Sequence, residues 1–239
     1  MNHPVPLTFV APIAALVRGE AGLVDEIVRD ADRHEMARQV AVIIVGAGLF
    51  GAAMGAWRSP TQALYTAVKF PLIVLLTTLA NALLNALLAP QLGLDLRLRQ
   101  TLAAVLTSFA IASLILGSLS PVMLFLVWSA PVVVEKVRSA SLGFELVQLT
   151  GVAAIAFAGL AGNARMLQSL RRLGGSETVA WRIMIAWLAG NLFLGAQLAW
   201  NLRPFIGAPE LPVEFLRPNA FSGNFYETVF ASLARFLTN

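Results

Sequence analysis

Lys69, Thr77, Asn81 and Asn85 are polar residues set at helical spacing in a segment otherwise built of leucine, alanine and valine. Thr77, Asn81 and Asn85 stand at i, i+4 and i+8, and Lys69 falls on the same stripe two turns earlier. An amide in hydrocarbon must find hydrogen-bond partners, so this face turns toward other helices or toward water, not lipid. Two chemistries fit: bonding between helices of a bundle, or the lining of a polar pathway. Gln197 and Asn201 repeat the i, i+4 amide pattern further along the chain. Thr107, Ser108, Ser113, Ser118 and Ser120 offer hydroxyl partners between them.

Reaction chemistry has little to work with. There is no cysteine, so thiolate zinc sites and cysteine nucleophiles are excluded. The two histidines, His3 and His34, both precede the first apolar run. There is no phosphate-binding loop, no HExxH and no GxSxG. The run from Gly46 to Gly51 matches GxGxxG in letters, but it lies inside an apolar segment with no strand before it. Carboxylates cluster only in Arg18–Arg38, where a solvated face accounts for them. No catalytic residue, cofactor or metal is expected, and the chain reads as non-enzymatic. No charge sits at the centre of any apolar run, which argues against an ion-coupled carrier.

The elements that carry the stripe are legible from charge alone. Five stretches hold no charged residue: Gln39–Trp57, Phe70–Leu94, Gln100–Val134, Leu146–Ala164 and Ile183–Leu202. About 20 apolar residues in a helix cross a hydrocarbon core of roughly 30 Å. Hydrophobic residues make up 58% of the chain and charged residues 13%, where a soluble domain carries about 25%. Membrane barrels alternate apolar and polar residues, whereas these runs are continuously apolar. The expected fold is an all-α transmembrane bundle of about five spans with amphipathic terminal helices. It divides into an interfacial segment (1–38), the bundle (39–202) and a structured tail (203–239).

Local signals refine that outline. Leu23, Ile27 and Ala31 predict a short amphipathic helix within Arg18–Arg38, docked or solvated. Gly51 and Gly55 form a GxxxG pair with Gly48 near the same face, a pattern for close helix packing within the chain or between copies. Ser59 and Pro60 fit the N-cap and first position of the next helix. Lys69 is placed to snorkel to the headgroups. Pro121 predicts a kink in Gln100–Val134, which reads as one long span, with a re-entrant end as the alternative. Trp181, Trp187 and Trp200 read as interfacial rings of the last span. Pro204, Pro209, Pro212 and Pro218 make the start of the tail extended. Asn224 and Glu227 then cap a helix whose apolar face holds Phe225, Tyr226, Val229, Phe230, Leu233 and Phe236.

The segments Ala67-Val-Lys-Phe-Pro-Leu72, Arg99-Gln-Thr-Leu102 and Ser118-Leu-Ser-Pro121 resemble bacterial Yip1-like membrane proteins of about five spans. The tail Trp200-Asn-Leu-Arg-Pro-Phe-Ile-Gly207, with Phe221-Ser-Gly-Asn-Phe-Tyr226 after it, is similar to that of a group of bacterial inner-membrane proteins. The resemblance implies a multi-pass inner-membrane protein and brings no catalytic residue. Eukaryotic Yip1 proteins are trafficking scaffolds, and the extended tail departs from their pattern.

The expected function is therefore a small oligomeric channel or transport-related protein, with a membrane scaffold or accessory subunit as the alternative. Its expected partners are the lipid bilayer and a second copy or another membrane protein. A net charge of +4 with no basic face excludes nucleic acid. With five spans, ten Lys and Arg fall on the side of the N-terminus and seven on the other. The positive-inside rule then puts the N-terminus in the cytoplasm and the tail outside. Reporter fusions at residues 2 and 239 are expected to report opposite compartments; the same compartment for both refutes an odd number of crossings.

Overall fold

The computed structural model describes residues 22–93, 96–130, 138–174, 176–207, 211–224 and 226–227. Among them are six α-helices and no strand: α1 (Leu23–Asp30), α2 (Arg33–Gly55), α3 (Pro60–Leu88), α4 (Leu98–Ser129), α5 (Arg138–Gly174) and α6 (Glu177–Asn201). The last five are long and apolar enough to cross a membrane. The chain is thus a multi-pass, all-helical membrane protein. Gln100–Val134 is expected to cross once or to re-enter; its described part lies in the single helix α4, which continues through Pro121.

The expected short amphipathic helix is present as α1, but the segment does not stay one helix. It is broken at Ala31, which takes a left-handed conformation (φ 46°). The Asp32 carboxylate then caps α2, accepting from the backbone N–H groups of His34 (3.0 Å) and Glu35 (3.1 Å). Those amides, that of Glu35 foremost, hold the carboxyl below its usual range. Residues Arg33–Arg38 therefore begin the first span instead of continuing a surface helix. What is left, α1, docks on α4 and α5 through Val24 and Val28. Asp25, also buried, accepts from the Ser169 hydroxyl (2.6 Å) and from the Arg172 guanidinium.

Helix α2 is the thin wedge of the bundle. It packs most extensively on α4 and α3, while α6 closes the circuit between α3 and α5. A Cβ on Gly46 would lie 2.2 Å from the Ser113 carbonyl oxygen of α4. On Gly51 and Gly55 it would lie 2.6 Å from the carbonyls of Thr66 and Gln62 of α3. Gly48 meets the Ala67 carbonyl in the same way, at 3.2 Å. The small-residue face is thus in use within one chain, and it brings α3 close enough for its polar stripe to be covered.

Trp57 and Trp187 lie in the core. Trp187 is a correction to its reading as an interfacial ring: it belongs to the buried cluster that α6 forms with Ala82 of α3, Val105 of α4 and Met166 of α5. Trp181 is exposed, and Trp200 stacks under the Arg203 guanidinium at 3.7 Å. In the tail, the Asn224 side-chain oxygen accepts from the Glu227 N–H (2.9 Å), as an N-cap does. Of the apolar face expected beyond it, only Tyr226 is described; its hydroxyl donates to the Leu192 carbonyl (3.1 Å).

Gly46→Leu is expected to destabilise the bundle by about 1–3 kcal/mol, because the clash is with backbone and not with a movable side chain. Gly159→Ala, where a Cβ meets nothing within 4 Å, should leave stability unchanged or slightly raised. Thermal unfolding in mild detergent checks both.

Candidate functional site

Helix α3 presents one polar face along most of its length. Gln62, Thr66, Lys69, Thr77, Asn81 and Asn85 all lie on it, and all are buried. Ser59 starts the helix by accepting from the Gln62 N–H (3.1 Å), which fixes the rotation of the stripe from its first turn. The stripe falls into two clusters. On that face Ile73 stands between them, in an apolar step of about 12 Å from Lys69 to Thr77 by helical rise.

The first cluster joins α3 to the tail. The Gln62 amide donates to the carbonyls of Phe205 (2.9 Å) and Pro204 (3.1 Å). The Thr66 hydroxyl donates to Phe205 (2.6 Å), and the Lys69 ammonium to Pro204 (2.9 Å). Three rings surround that ammonium: Phe215 at 4.8 Å, Phe205 at 5.9 Å and Tyr65 at 6.0 Å from their centroids. Lys69 does not snorkel, as its place at the end of a charge-free run suggested; it is 0% exposed. The tail folds back over it and supplies a carbonyl and aromatic faces in place of water. Nearby, burial and then the charge of Arg217 hold the Arg203 guanidinium below its ordinary value.

The second cluster joins α3 to α6. Asn81 donates to the Asn191 side-chain oxygen and, at 3.4 Å, to the Trp187 carbonyl. Asn85 donates to the Asn81 side-chain oxygen (2.8 Å) and to its backbone carbonyl (2.8 Å). Gly190 makes the approach possible, since a Cβ there would sit 2.6 Å from the Asn81 oxygen. Gln197 and Asn201, the amides of α6 singled out by their spacing, are half-exposed and bond to neither cluster. The partner on α6 is Asn191, which stands outside the i, i+4 pair of Gln197 and Asn201 and has no periodic companion to mark it. Gln62 and Thr66 extend the stripe at i−7 and i−3 from Lys69, a spacing that was available in the sequence. The third-run hydroxyls serve elsewhere: Thr107 accepts from Gln39 of α2 (2.9 Å), and Ser118 and Ser120 bond carbonyls of their own helix.

Six buried side-chain atoms have no hydrogen-bond partner among the described residues, and three of them belong to this region: Gln62 Oε1, Thr77 Oγ1 and Trp187 Nε1. Among the described residues no group of three metal-ligating side chains exists. Comparison with protein-family models, curated proteins and solved structures returns no match.

Asn81→Leu is expected to cost about 1–3 kcal/mol, because it strips Asn191 and Asn85 of a buried partner. Adding Asn191→Leu should recover part of that loss by removing the stranded amide. Additive losses in the double-mutant cycle, read by unfolding in detergent, would show that the two amides act independently.

Proposed function

We propose that the chain is a non-enzymatic, transport-related membrane protein whose path is the polar seam of α3, closed by α6 and the tail within one subunit. The observation that carries this reading is the set of unpaired buried atoms on that seam, Gln62 Oε1, Thr77 Oγ1 and Trp187 Nε1. Buried polar groups are paired in the great majority, and each unpaired one costs about 1–3 kcal/mol. Polar atoms stranded along one line of a membrane bundle fit a line that takes water or a small polar solute. The apolar step at Ile73 acts in this reading as the closed gate, since hydrophobic constrictions shut a path by losing their water. Chains of this kind would associate in the bacterial inner membrane, with the tail outside, each copy carrying its own path.

A scaffold or accessory role is the second reading. It is favoured by the docked α1, tied to α5 through Asp25, Ser169 and Arg172, and by the resemblance to Yip1-like proteins. In that case the seam is a dry clamp.

In liposomes the wild type should pass small ions or polar solutes above the level of empty vesicles. Ile73→Asn, which wets the apolar step, should raise the flux at least several-fold, and a cysteine at position 77 should react with water-soluble thiol reagents. No flux from either protein, together with an unreactive cysteine, rules out the path and leaves the scaffold.

A further inference from the structure

We propose that the junction of the tail with α3 and α6 binds a phosphate-type oxyanion, held chiefly by Arg217 and Lys69. Three cations meet there. The Lys69 ammonium lies 2.9 Å from the carbonyl of Pro204, which follows Arg203, and 4.8 Å from the ring centroid of Phe215, two residues before Arg217. Arg203 is provided for: it donates to the carbonyls of Trp200, Asn219 and Ala220 and stacks on the Trp200 ring. The other two lack a close counter-charge, although the Pro204 carbonyl and three aromatic rings face Lys69. The Arg217 side chain is only 12% exposed, yet it makes no hydrogen bond among the described residues. Its one carboxylate neighbour, Glu214, stands 3.8 Å away and is itself a third exposed. Lys69, fully buried, makes a single hydrogen bond from three donors and no ion pair among the described residues.

A guanidinium has five N–H donors and does not shed its proton in proteins, so it cannot escape burial by becoming neutral. A buried cation is stable only when paired and hydrogen-bonded. Glu214, loose and at long range, is a weak internal substitute for a ligand that would fit the planar fork of Arg217 and the point charge of Lys69 together. An oxyanion with several acceptor oxygens meets that need, as bidentate recognition by arginine does elsewhere. Lys69 also immediately precedes the charge-free run that begins at Phe70. The oxyanion is therefore either the phosphate of a phospholipid or a soluble phosphate-bearing solute. The site does not depend on the seam being a path.

The test uses the full chain in neutral detergent and phosphate-free buffer, followed by thermal unfolding. One arm adds inorganic phosphate against chloride of equal ionic strength. The other compares nanodiscs of phosphatidylcholine with and without phosphatidic acid. The wild type should gain several degrees in at least one arm. Arg217→Gln should lose most of that gain, while Arg182→Gln, exposed at the other end of α6, should keep it. Glu214→Gln removes the internal competitor and should lower the half-saturating concentration about tenfold. A response to free phosphate identifies a soluble ligand, and a response to the anionic lipid alone identifies a headgroup. No gain in either arm overturns the proposal, as does an equal gain in Arg217→Gln. If that variant does not fold, an unchanged half-saturation in Glu214→Gln overturns it.

Discussion

A polar group sunk in hydrocarbon has no water to fall back on, and this constraint organises the bundle around α3. Six polar side chains on one face of that helix must be met by something other than lipid. The tail meets the first three with backbone carbonyls and aromatic rings; farther along, α6 meets Asn81 with Asn191 and the Trp187 carbonyl, and Asn81 in turn meets Asn85. Hydrophobic burial does not draw helices together in a bilayer as it does in water, so these bonds and close packing have to do it. The glycines of α2 and Gly190 of α6 are the complement of that demand. They let backbones approach until short side-chain bonds can span the gap.

The two clusters differ in kind. Toward the end of α3, an amide chain runs from Asn85 through Asn81 to Asn191, each carrying donors and an acceptor in one rigid group. Toward its start, donors of α3 face the carbonyls of Pro204 and Phe205, which lie outside any helix. One is a clamp between two helices and the other is a lid fastened to a helix. Movement at the seam is therefore expected at the tail side, where the partners are loop backbone, sooner than between α3 and α6.

Much of this architecture was legible in the amino-acid sequence, because the bilayer imposes length and charge rules that a single chain displays. The charge-free runs marked five helices, and the i, i+4, i+8 spacing put Thr77, Asn81 and Asn85 on one buried face. Tertiary partners were less visible. Asn191 has no periodic companion, so spacing favoured Gln197 and Asn201, which the rotation of α6 leaves half-exposed. Lys69 appeared at a boundary where a lysine ordinarily reaches water; only the return of the tail, 135 residues later, turns that place into an interior. The break at Ala31 had no glycine or proline to announce it, since Ala31 itself takes the left-handed conformation.

That sequence distance also governs how the protein is made. Helix α3 is synthesised well before its cover, carrying a lysine, a glutamine and a threonine whose partners follow 135 or more residues later. Until residues 204 and 205 leave the ribosome, these side chains must be sheltered by the insertion machinery or held at the membrane surface. The bundle can gather its α2 glycines against α3 and α4 well before then, but it is not sealed. Completion of the tail is thus a late maturation step, and a ribosome that stops short of it releases a membrane protein with an uncovered cation in its wall.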